Sequence, residues 1–117
     1  MLTRQFPFLD PARIEPNLAR RLRALADDCE HLELRRPISP VLLEKAPLLE
    51  DWVATVTPLG LHLVGYVTGH FLQGDRRIAT SPVWFADPDG TWARTLSRYY
   101  RLGRPLHRDD ALRATRN

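Results

Sequence analysis

The stretch TWARTLSRYYRLGRPLHR, residues 91–108, places five arginines among three aromatic rings and contains no acid. Guanidinium groups can replace the cations that condense on nucleic acid, and flat rings can stack on unpaired bases. The same residue types anchor many protein interfaces. The segment therefore predicts a surface that binds nucleic acid or a protein partner, with these contact residues: Arg94, Arg98, Tyr99, Arg101, Arg104 and Arg108.

Structural roles compete for the same side chains. Trp92 and one of the tyrosines are expected in the core, because a small sheet needs large side chains to cover one face. Some of the arginines could instead pair with acids of an upstream helix, namely Asp27, Asp28, Glu30 and Glu33. Of the 17 cations 16 are arginine, which a GC-rich genome produces as readily as selection for bidentate contacts does.

The charge is unevenly distributed along the chain. Residues 1–91 carry 10 basic and 12 acidic side chains, a net charge of −2, whereas residues 92–117 carry seven arginines and two aspartates, a net charge of +5. This division motivates the hypothesis that the C-terminal part contacts a polyanion.

A catalytic site is not indicated by the spacing of the nucleophiles and bases. Ser81 or Ser97 could be combined with His70 and Asp75, but no glycine elbow or comparable signature surrounds either serine. Hydroxyls just before Pro82 are expected to bond to nearby backbone groups, since proline lacks a donor. We therefore expect a protein that is not an enzyme.

Metal and cofactor sites are not indicated either. His62 and His70 would lie about 26 Å apart on one unbroken strand, too far to share an ion. Cys29 and His31 would point about 200° apart on a helix. The six glycines are scattered and form no phosphate-binding loop. We expect no metal and no cofactor.

The length and the hydropathy pattern predict one soluble domain. A chain of 117 residues has room for one core. No apolar run approaches the roughly 18 residues that span a bilayer, and the N-terminus lacks the features of a secretory signal. The single cysteine, Cys29, cannot form an internal disulfide. A cytoplasmic protein without membrane contact is expected.

The first half reads as helical behind a loose N-terminal arm, residues 1–15. Between Pro16 and Pro37 the apolar positions recur in steps of four and three, which predicts an amphipathic helix with Asn17 as its cap. This stripe packs on the protein's own sheet or, alternatively, forms a homodimer through Leu18, Leu22, Leu25 and Leu32. Ser39 and Pro40 begin a short second helix, which completes a helical region over 16–46.

The second half has strand composition, which predicts a β-meander over 50–104 followed by a basic tail over 105–117. Strands are expected around 52–57 and 61–68, and a third within RRIATSPVWFA, residues 76–86. DPDG, residues 87–90, is a strong turn sequence. It favours a hairpin into the arginine-rich segment as a strand kinked near Ser97, although a helix over that segment also fits the apolar spacing.

Residues 69–103 resemble a group of uncharacterised small proteobacterial proteins, some of them borne by phages or plasmids. The shared pattern is Gly-His, a polar turn, Ile-x-Thr-Ser-Pro and Thr-x-Ser-Arg-x-Tyr-x-Leu-Gly, which here comprises Gly69, His70, Ile78, Thr80, Ser81, Pro82, Thr95, Ser97, Arg98, Tyr100, Leu102 and Gly103. The resemblance implies a compact β-meander and no particular activity.

Together these features predict an α+β fold, in which two helices pack on a small antiparallel sheet of three to five strands. The predicted function is that of a non-catalytic cytoplasmic binding module for nucleic acid. The alternative is a protein-interaction factor, such as an inhibitor or accessory protein of a mobile element, and a third hypothesis is a structural homodimer.

Overall fold

The computed structural model describes residues 2–68 and 76–106. The chain forms two compact units that meet in sequence between Arg36 and Pro37. The first unit is helical, and the second contains a short helix and a six-stranded sheet. The predicted α+β class is therefore confirmed. In the described residues no helix is long and apolar enough to cross a membrane.

The first unit contains helix α1 (Leu2–Gln5), two short 3-10 turns (Pro7–Leu9 and Pro11–Arg13) and the long helix α2 (Leu18–Glu33). Helix α2 is amphipathic, as its spacing predicts. Asn17 does precede it, but the Asn17 side chain makes no capping bond. Its φ of −101° and ψ of 7° are not the extended values from which a cap reaches the first turn.

The second unit begins with helix α3 (Pro40–Lys45), which has proline in its first turn as expected. The Ser39 side chain, however, makes no capping bond there. The helix ends before Pro47, because a residue that precedes proline is forced toward extended backbone. Ala46 is extended accordingly, with φ −67° and ψ 142°.

Among the described residues of the second unit the sheet has six strands: β1 (Leu48–Thr57), β2 (Gly60–Thr68), β3 (Arg76–Ala79), β4 (Val83–Ala86), β5 (Trp92–Thr95) and β6 (Tyr99–Leu102). Their order is β3-β2-β1-β6-β5-β4, and β1 and β6 run parallel. The sheet is thus mixed and larger than the three to five antiparallel strands expected. The extra strands arise because residues 80–82 divide the predicted third strand and residues 96–98 divide the arginine-rich segment.

The sheet is strongly curled. In a flat sheet of this order, β3 and β4 would be five inter-strand steps apart, about 24 Å. Only residues 80–82 join them, and three residues can bridge at most about 14 Å. A Cβ atom on Gly60, at the start of β2, would lie 3.5 Å from Pro82. The corner at 80–82 therefore brings the two edges of the sheet together.

The core cluster lies on one side of this sheet. The register pairs Leu49 with Val67 and Ala93 with Tyr100, and Leu63 joins these four as the buried cluster. Burial raises the pKa of the Tyr100 hydroxyl, while the nearby Arg98 and Arg76 act in the opposite direction. We call the side of the sheet away from this cluster the outer face.

The predicted DPDG turn joins β4 to β5. The Asp87 carboxylate accepts hydrogen bonds from the backbone N–H of Asp89 at 3.1 Å and from Thr91, and Gly90 has φ +79°. The Thr91 hydroxyl, followed by the Asp89 amide, holds the pKa of Asp87 below its usual value. The hydrogen bonds of Asp87 and the positive φ of Gly90 are those that the sequence DPDG predicts.

A β-bulge in β1 controls its pairing with both neighbours. Asp51 and Trp52 together oppose Gly65 of β2, and Asp51 adopts a left-handed φ of +50°. A Cβ atom on Gly65 would lie 2.8 Å from the carbonyl oxygen of Glu50, so only glycine fits there. The bulge therefore depends on one close backbone approach.

The bulge also receives the chain that leaves β6. The Trp52 indole N–H donates to the Gly103 carbonyl at 3.1 Å, and the Asp51 amide donates to the Arg104 carbonyl at 2.8 Å. A Cβ atom on Gly103 would overlap the Glu50 carboxylate. These contacts explain the parallel pairing of β1 and β6, which involves residues about 50 positions apart in sequence.

Candidate binding surfaces

The structure buries much of the arginine-rich segment. Arg94 is only 2% exposed and Tyr99 is also buried. The Arg94 guanidinium donates to the Thr95 carbonyl at 2.5 Å, and its carbon lies 5.4 Å from the centre of the Tyr99 ring. Buried guanidinium groups need such partners to offset the loss of water. In this arrangement Arg94 and Tyr99 stabilise the sheet.

An aromatic row surrounds Arg94 on the outer face. Trp92 packs edge-on against Tyr99, with ring centroids 5.5 Å apart, and Phe85 packs edge-on against Trp92 at 6.5 Å. Trp92 is half-buried and Tyr100 lies in the core. Both tyrosines of the segment are therefore buried, whereas Trp92, which was expected in the core, is half-buried and packs beside Tyr99 outside the core cluster.

Two further arginines bond within the second unit. The Arg101 Nε donates to the Ala46 carbonyl at 2.9 Å, just beyond α3. Arg104 lies 3.1 Å from the Asp51 carboxylate, and its backbone N–H donates to Glu50 at 2.8 Å. The Arg104 side chain is 79% exposed, so its ion pair is a weak surface contact.

The remaining two predicted contact residues lie elsewhere. Arg98 is exposed in the tight turn at residues 95–98, at the start of β6, whereas Arg104 follows the end of β6. Arg108 lies outside the described residues. The predicted contact residues therefore do not form one shared cationic surface within the described part of the chain.

The hydroxyl residues of the resemblance pattern connect the corner at 80–82 to its neighbours. The Thr80 hydroxyl accepts from the Leu63 amide and donates to the Ser81 carbonyl. The Ser81 hydroxyl donates to Ser97 at 2.9 Å and accepts from the Ser97 amide. His70 and Asp75, which were considered with these serines, lie outside the described residues. The bond from Thr80 to the Ser81 carbonyl is local, as expected beside proline, but the bonds to Leu63 and Ser97 join residues 16 or 17 positions apart in sequence.

Thr95 organises the turn between β5 and β6. Its hydroxyl accepts from the amides of Ser97 and Arg98, both at 3.2 Å, and donates to the Arg98 carbonyl at 3.1 Å. Its side chain is fully buried. The Thr-x-Ser-Arg part of the pattern thus describes a hydrogen-bonded turn.

The four leucines considered for a homodimer differ in exposure. Leu22 is exposed, Leu18 and Leu32 are half-buried, and Leu25 is buried. They do not form a uniformly exposed stripe along α2.

The N-terminal arm presents apolar side chains to solvent. Five large apolar residues in it are between 38% and 63% exposed: Leu2, Phe6, Phe8, Leu9 and Ile14. Helix α1 and the two 3-10 turns contain no buried residue. Such a concentration of exposed apolar side chains is typical of an interaction site.

The backbone of the arm is nevertheless held in successive turns. The Phe6 amide donates to the Leu2 carbonyl at 2.9 Å, and the Leu9 amide donates to Phe6 at 3.0 Å. The Asp10 carboxylate accepts from the Ala12 amide at 3.0 Å and caps the second 3-10 turn. Proline at the start of both 3-10 turns sets their backbone angle.

A second exposed surface lies on the outer face of β2 and β3. Tyr66 is 45% exposed, and Arg77 is its direct partner in the register. The Arg77 guanidinium carbon lies 6.0 Å from the centre of the Tyr66 ring. Arg76 is also exposed, but it pairs with the core residue Val67 and therefore lies on the opposite face of β3.

Residues 19–116 match a family described as a family of unknown function, DUF6634. The chain belongs to this family. Comparison with curated proteins and with solved structures finds no match. The matched region begins within α2, so it contains the Tyr66 and Arg77 surface and not the apolar residues of the N-terminal arm.

Sequence reasoning missed both exposed surfaces. In the arm, Pro7 and Pro11 interrupt the apolar residues, so these residues do not recur with the spacing of an amphipathic helix. This interruption is the sequence signal that the apolar side chains have no surface of their own chain to pack against. Tyr66 and Arg77 carry a weaker signal. Their contact depends on the register across the intervening hairpin, which composition does not give.

Proposed function

We propose that the protein is a non-catalytic interaction module that binds a protein partner through its N-terminal arm. The observation that carries this proposal is the exposure of five large apolar side chains on a backbone that is already held in turns. Exposed apolar area favours association, and a pre-ordered backbone lowers the entropy lost on binding.

The burial and the internal bonds of the arginine-rich segment favour the N-terminal arm, and not this segment, as the interface. Arg94 and Tyr99 are buried, and Arg101 and Arg104 bond to neighbouring strands and loops. Anchors of protein interfaces are large side chains that lose solvent contact on binding. Phe6 and Phe8 meet this description, and their rings pack edge-on with centroids 6.1 Å apart.

The arm also indicates the chemistry of the partner. Its side-chain charges balance, because Arg4 and Arg13 are matched by Asp10, which caps a turn, and by Glu15, which pairs with Arg21 at 2.9 Å. An apolar segment without net side-chain charge fits an apolar groove on a protein partner. A cytoplasmic inhibitor or accessory protein of a mobile element is the protein-interaction role that we propose.

Site-specific photocrosslinking in cells that encode the protein tests the proposal. A photoreactive phenylalanine analogue replaces Phe8 in one full-length variant and Trp84 in a matched control variant. Trp84 is suitable because it is an aromatic residue of the second unit that is 61% exposed. We expect a discrete crosslinked protein from position 8 that persists after nuclease treatment, and none from position 84. Adding Phe6→Ser should abolish the product.

Crosslinks from position 84 with none from position 8 would contradict the proposal. So would a product that nuclease digestion removes, because the ligand would then be nucleic acid. The Phe6→Ser substitution lies at an exposed position with no buried residue nearby in α1 or the 3-10 turns, so it should leave the fold intact. Circular dichroism of the purified variants checks this point.

A further inference from the structure

One edge of β1 is open along the second half of the strand. Strand β6 pairs with the beginning of this edge, and the Leu106 amide donates to the Trp52 carbonyl at 2.9 Å. Beyond Trp52, no strand among residues 2–68 and 76–106 pairs with the same edge. Residues 54–57 therefore have a strand neighbour, β2, on one side only.

Backbone donors and acceptors point toward this open edge. The Leu63 amide and carbonyl both bond to Thr80, on the side of β2 away from β1. Ala54 is the register partner of Leu63, and opposite residues of an antiparallel pair direct their N–H and C=O groups either toward each other or both away. The groups of Ala54, and by alternation those of Val56, therefore point away from β2, where an added strand can bond to them.

Exposed apolar side chains lie beside these backbone groups. Val56 is 79% exposed, and its register partner Leu61 is 41% exposed. Leu61 is two residues from the core residue Leu63, so Leu61 and Val56 extend the core side of the sheet beyond the buried cluster. An apolar row next to an open strand edge is typical of a strand that pairs with another chain.

The same stretch carries no charge. Residues 52–74 contain no aspartate, glutamate, lysine or arginine, although the whole chain has a formal net charge of +3. Edge strands commonly carry a charged residue, especially lysine, that opposes pairing with another chain. Two copies of this edge can therefore approach each other without the repulsion that their net charges produce elsewhere.

We propose that two copies of the protein pair antiparallel through this edge of β1, about a twofold axis at Val56. Pro105 is the parallel partner of Trp52, so Leu106 lies beside Val53 and an added strand begins opposite Ala54. Centring the pair at Val56 is the register that respects this limit and still uses the outward backbone groups.

A second copy fits this edge because the sequence of the edge is self-complementary in that register. Val56 lies opposite Val56 of the second copy, and Thr55 lies opposite Thr57 of the second copy. Valine thus meets valine on the core side of the sheet and threonine meets threonine on the outer face, and both are favourable cross-strand pairs. Together with Leu61 of each copy, the valines form one apolar row across four strands.

This inference goes beyond the proposed function. The edge belongs to the second unit, whereas the N-terminal arm belongs to the first. Such a contact is isologous, since the same residues face each other on both copies, and it closes at two chains.

Sedimentation equilibrium of the full-length protein over a series of concentrations tests the proposal. The average mass should rise with concentration from 13.5 kDa toward twice that value. Because a short interface associates weakly, the series should extend to about 0.5 mM. Val56→Lys should weaken association at least about tenfold, since it replaces the valine pair at the axis with two like charges.

A mixture of variants tests the position of the axis. Val56→Glu alone should also weaken association. An equimolar mixture of Val56→Lys and Val56→Glu should associate at least about tenfold more tightly than either variant alone, because opposite charges then face each other. This recovery is expected only where position 56 of one copy lies opposite position 56 of the other.

Val41→Lys is the matched control. Val41 is a 57% exposed valine of the same unit, in α3. Val41→Lys and the arm variant Phe8→Ser should both associate as the wild type does. Since Val56 is even more exposed, its substitutions should leave the fold intact, and circular dichroism checks this point.

Three results would overturn the inference: a monomer at every concentration, equal weakening by Val56→Lys and Val41→Lys, and no recovery in the mixture. A dimer that Phe8→Ser abolishes and Val56→Lys leaves unchanged would also overturn it, because the interface would then be the arm. The crosslink from position 8 should persist in the Val56→Lys variant, so the two proposals fail separately.

Discussion

Gly65 shows how a single residue determines the course of β1. Its missing side chain lets the backbone of Glu50 and Trp52 pass within van der Waals distance, and this approach permits the bulge at Asp51. The bulge in turn directs Trp52 toward Gly103 and Asp51 toward Arg104. The parallel contact between the two halves of the sheet thus depends on one glycine.

Gly65→Ala is predicted to destabilise the second unit by about 2 to 3 kcal/mol, because its Cβ would lie 2.8 Å from a backbone carbonyl that cannot easily move. Gly90→Ala is the matched control. It meets no atom within 4 Å and is strained only by its φ of +79°, at a cost of about 1 kcal/mol.

Urea unfolding followed by tryptophan fluorescence measures both variants, since Trp52, Trp84 and Trp92 all lie in the second unit. A Gly65→Ala variant as stable as Gly90→Ala would show that the bulge does not need this close approach.

The arginines of residues 91–108 show that residue type alone does not determine which side chains are exposed to solvent. Arg94 and Arg98 are four positions apart in one basic segment, yet Arg94 is buried against Tyr99 and Arg98 is exposed. The difference comes from strand position and from the turn at 95–98. Residue composition predicts cations, but the register decides which of them reach solvent.

Among the elements, the corner at 80–82 and the turn at 95–98 act together. The Leu96 amide donates to the Pro82 carbonyl at 2.8 Å, and Ser81 bonds to Ser97. His62 joins the corner to β2, because its ring bonds to the Thr80 carbonyl and to the Thr57 hydroxyl, both at 2.8 Å. These bonds hold the curled sheet at the point where its edges meet.

Thr95→Val is predicted to cost about 1 to 3 kcal/mol, because the isosteric change removes the acceptor of the Arg98 amide and one of the two partners of the Ser97 amide and of the Arg98 carbonyl. Thr55→Val, on the exposed part of β1, should change the free energy of unfolding by less than about 0.5 kcal/mol. The same urea titration measures both. If the two variants were equally stable, the hydroxyl of Thr95 would have no part in holding the turn.

The elements were predictable where their signals are local. The apolar spacing predicts α2, Pro40 predicts the start of α3, and DPDG predicts the β4–β5 turn, because each depends on neighbours within a few residues. The division of RRIATSPVWFA into β3 and β4 was not predictable, since it depends on bonds from residues 81 and 82 to residues 96 and 97. The parallel pairing of β1 and β6 has the same non-local origin.

At the scale of the whole molecule, the two units differ in how many of their apolar side chains are buried. The second unit has its own buried cluster, whereas Leu25 is the buried residue of α2 and residues 2–15, the described part of the arm, contribute none. A unit with so few buried side chains has few apolar contacts to offset the conformational entropy that it loses on folding. Binding of the arm to a protein partner, as we propose, would supply the missing burial.

The measurement that tests the proposed role of the arm most directly is the affinity of the crosslinked partner, once purified, for two full-length variants. Phe8→Ser removes an exposed ring of the arm, and Arg98→Ser removes an exposed arginine of the segment that sequence alone favours. We predict a loss of at least about thirtyfold for Phe8→Ser, as for an interface anchor, and less than about twofold for Arg98→Ser. A large loss with Arg98→Ser and none with Phe8→Ser would contradict binding through the arm.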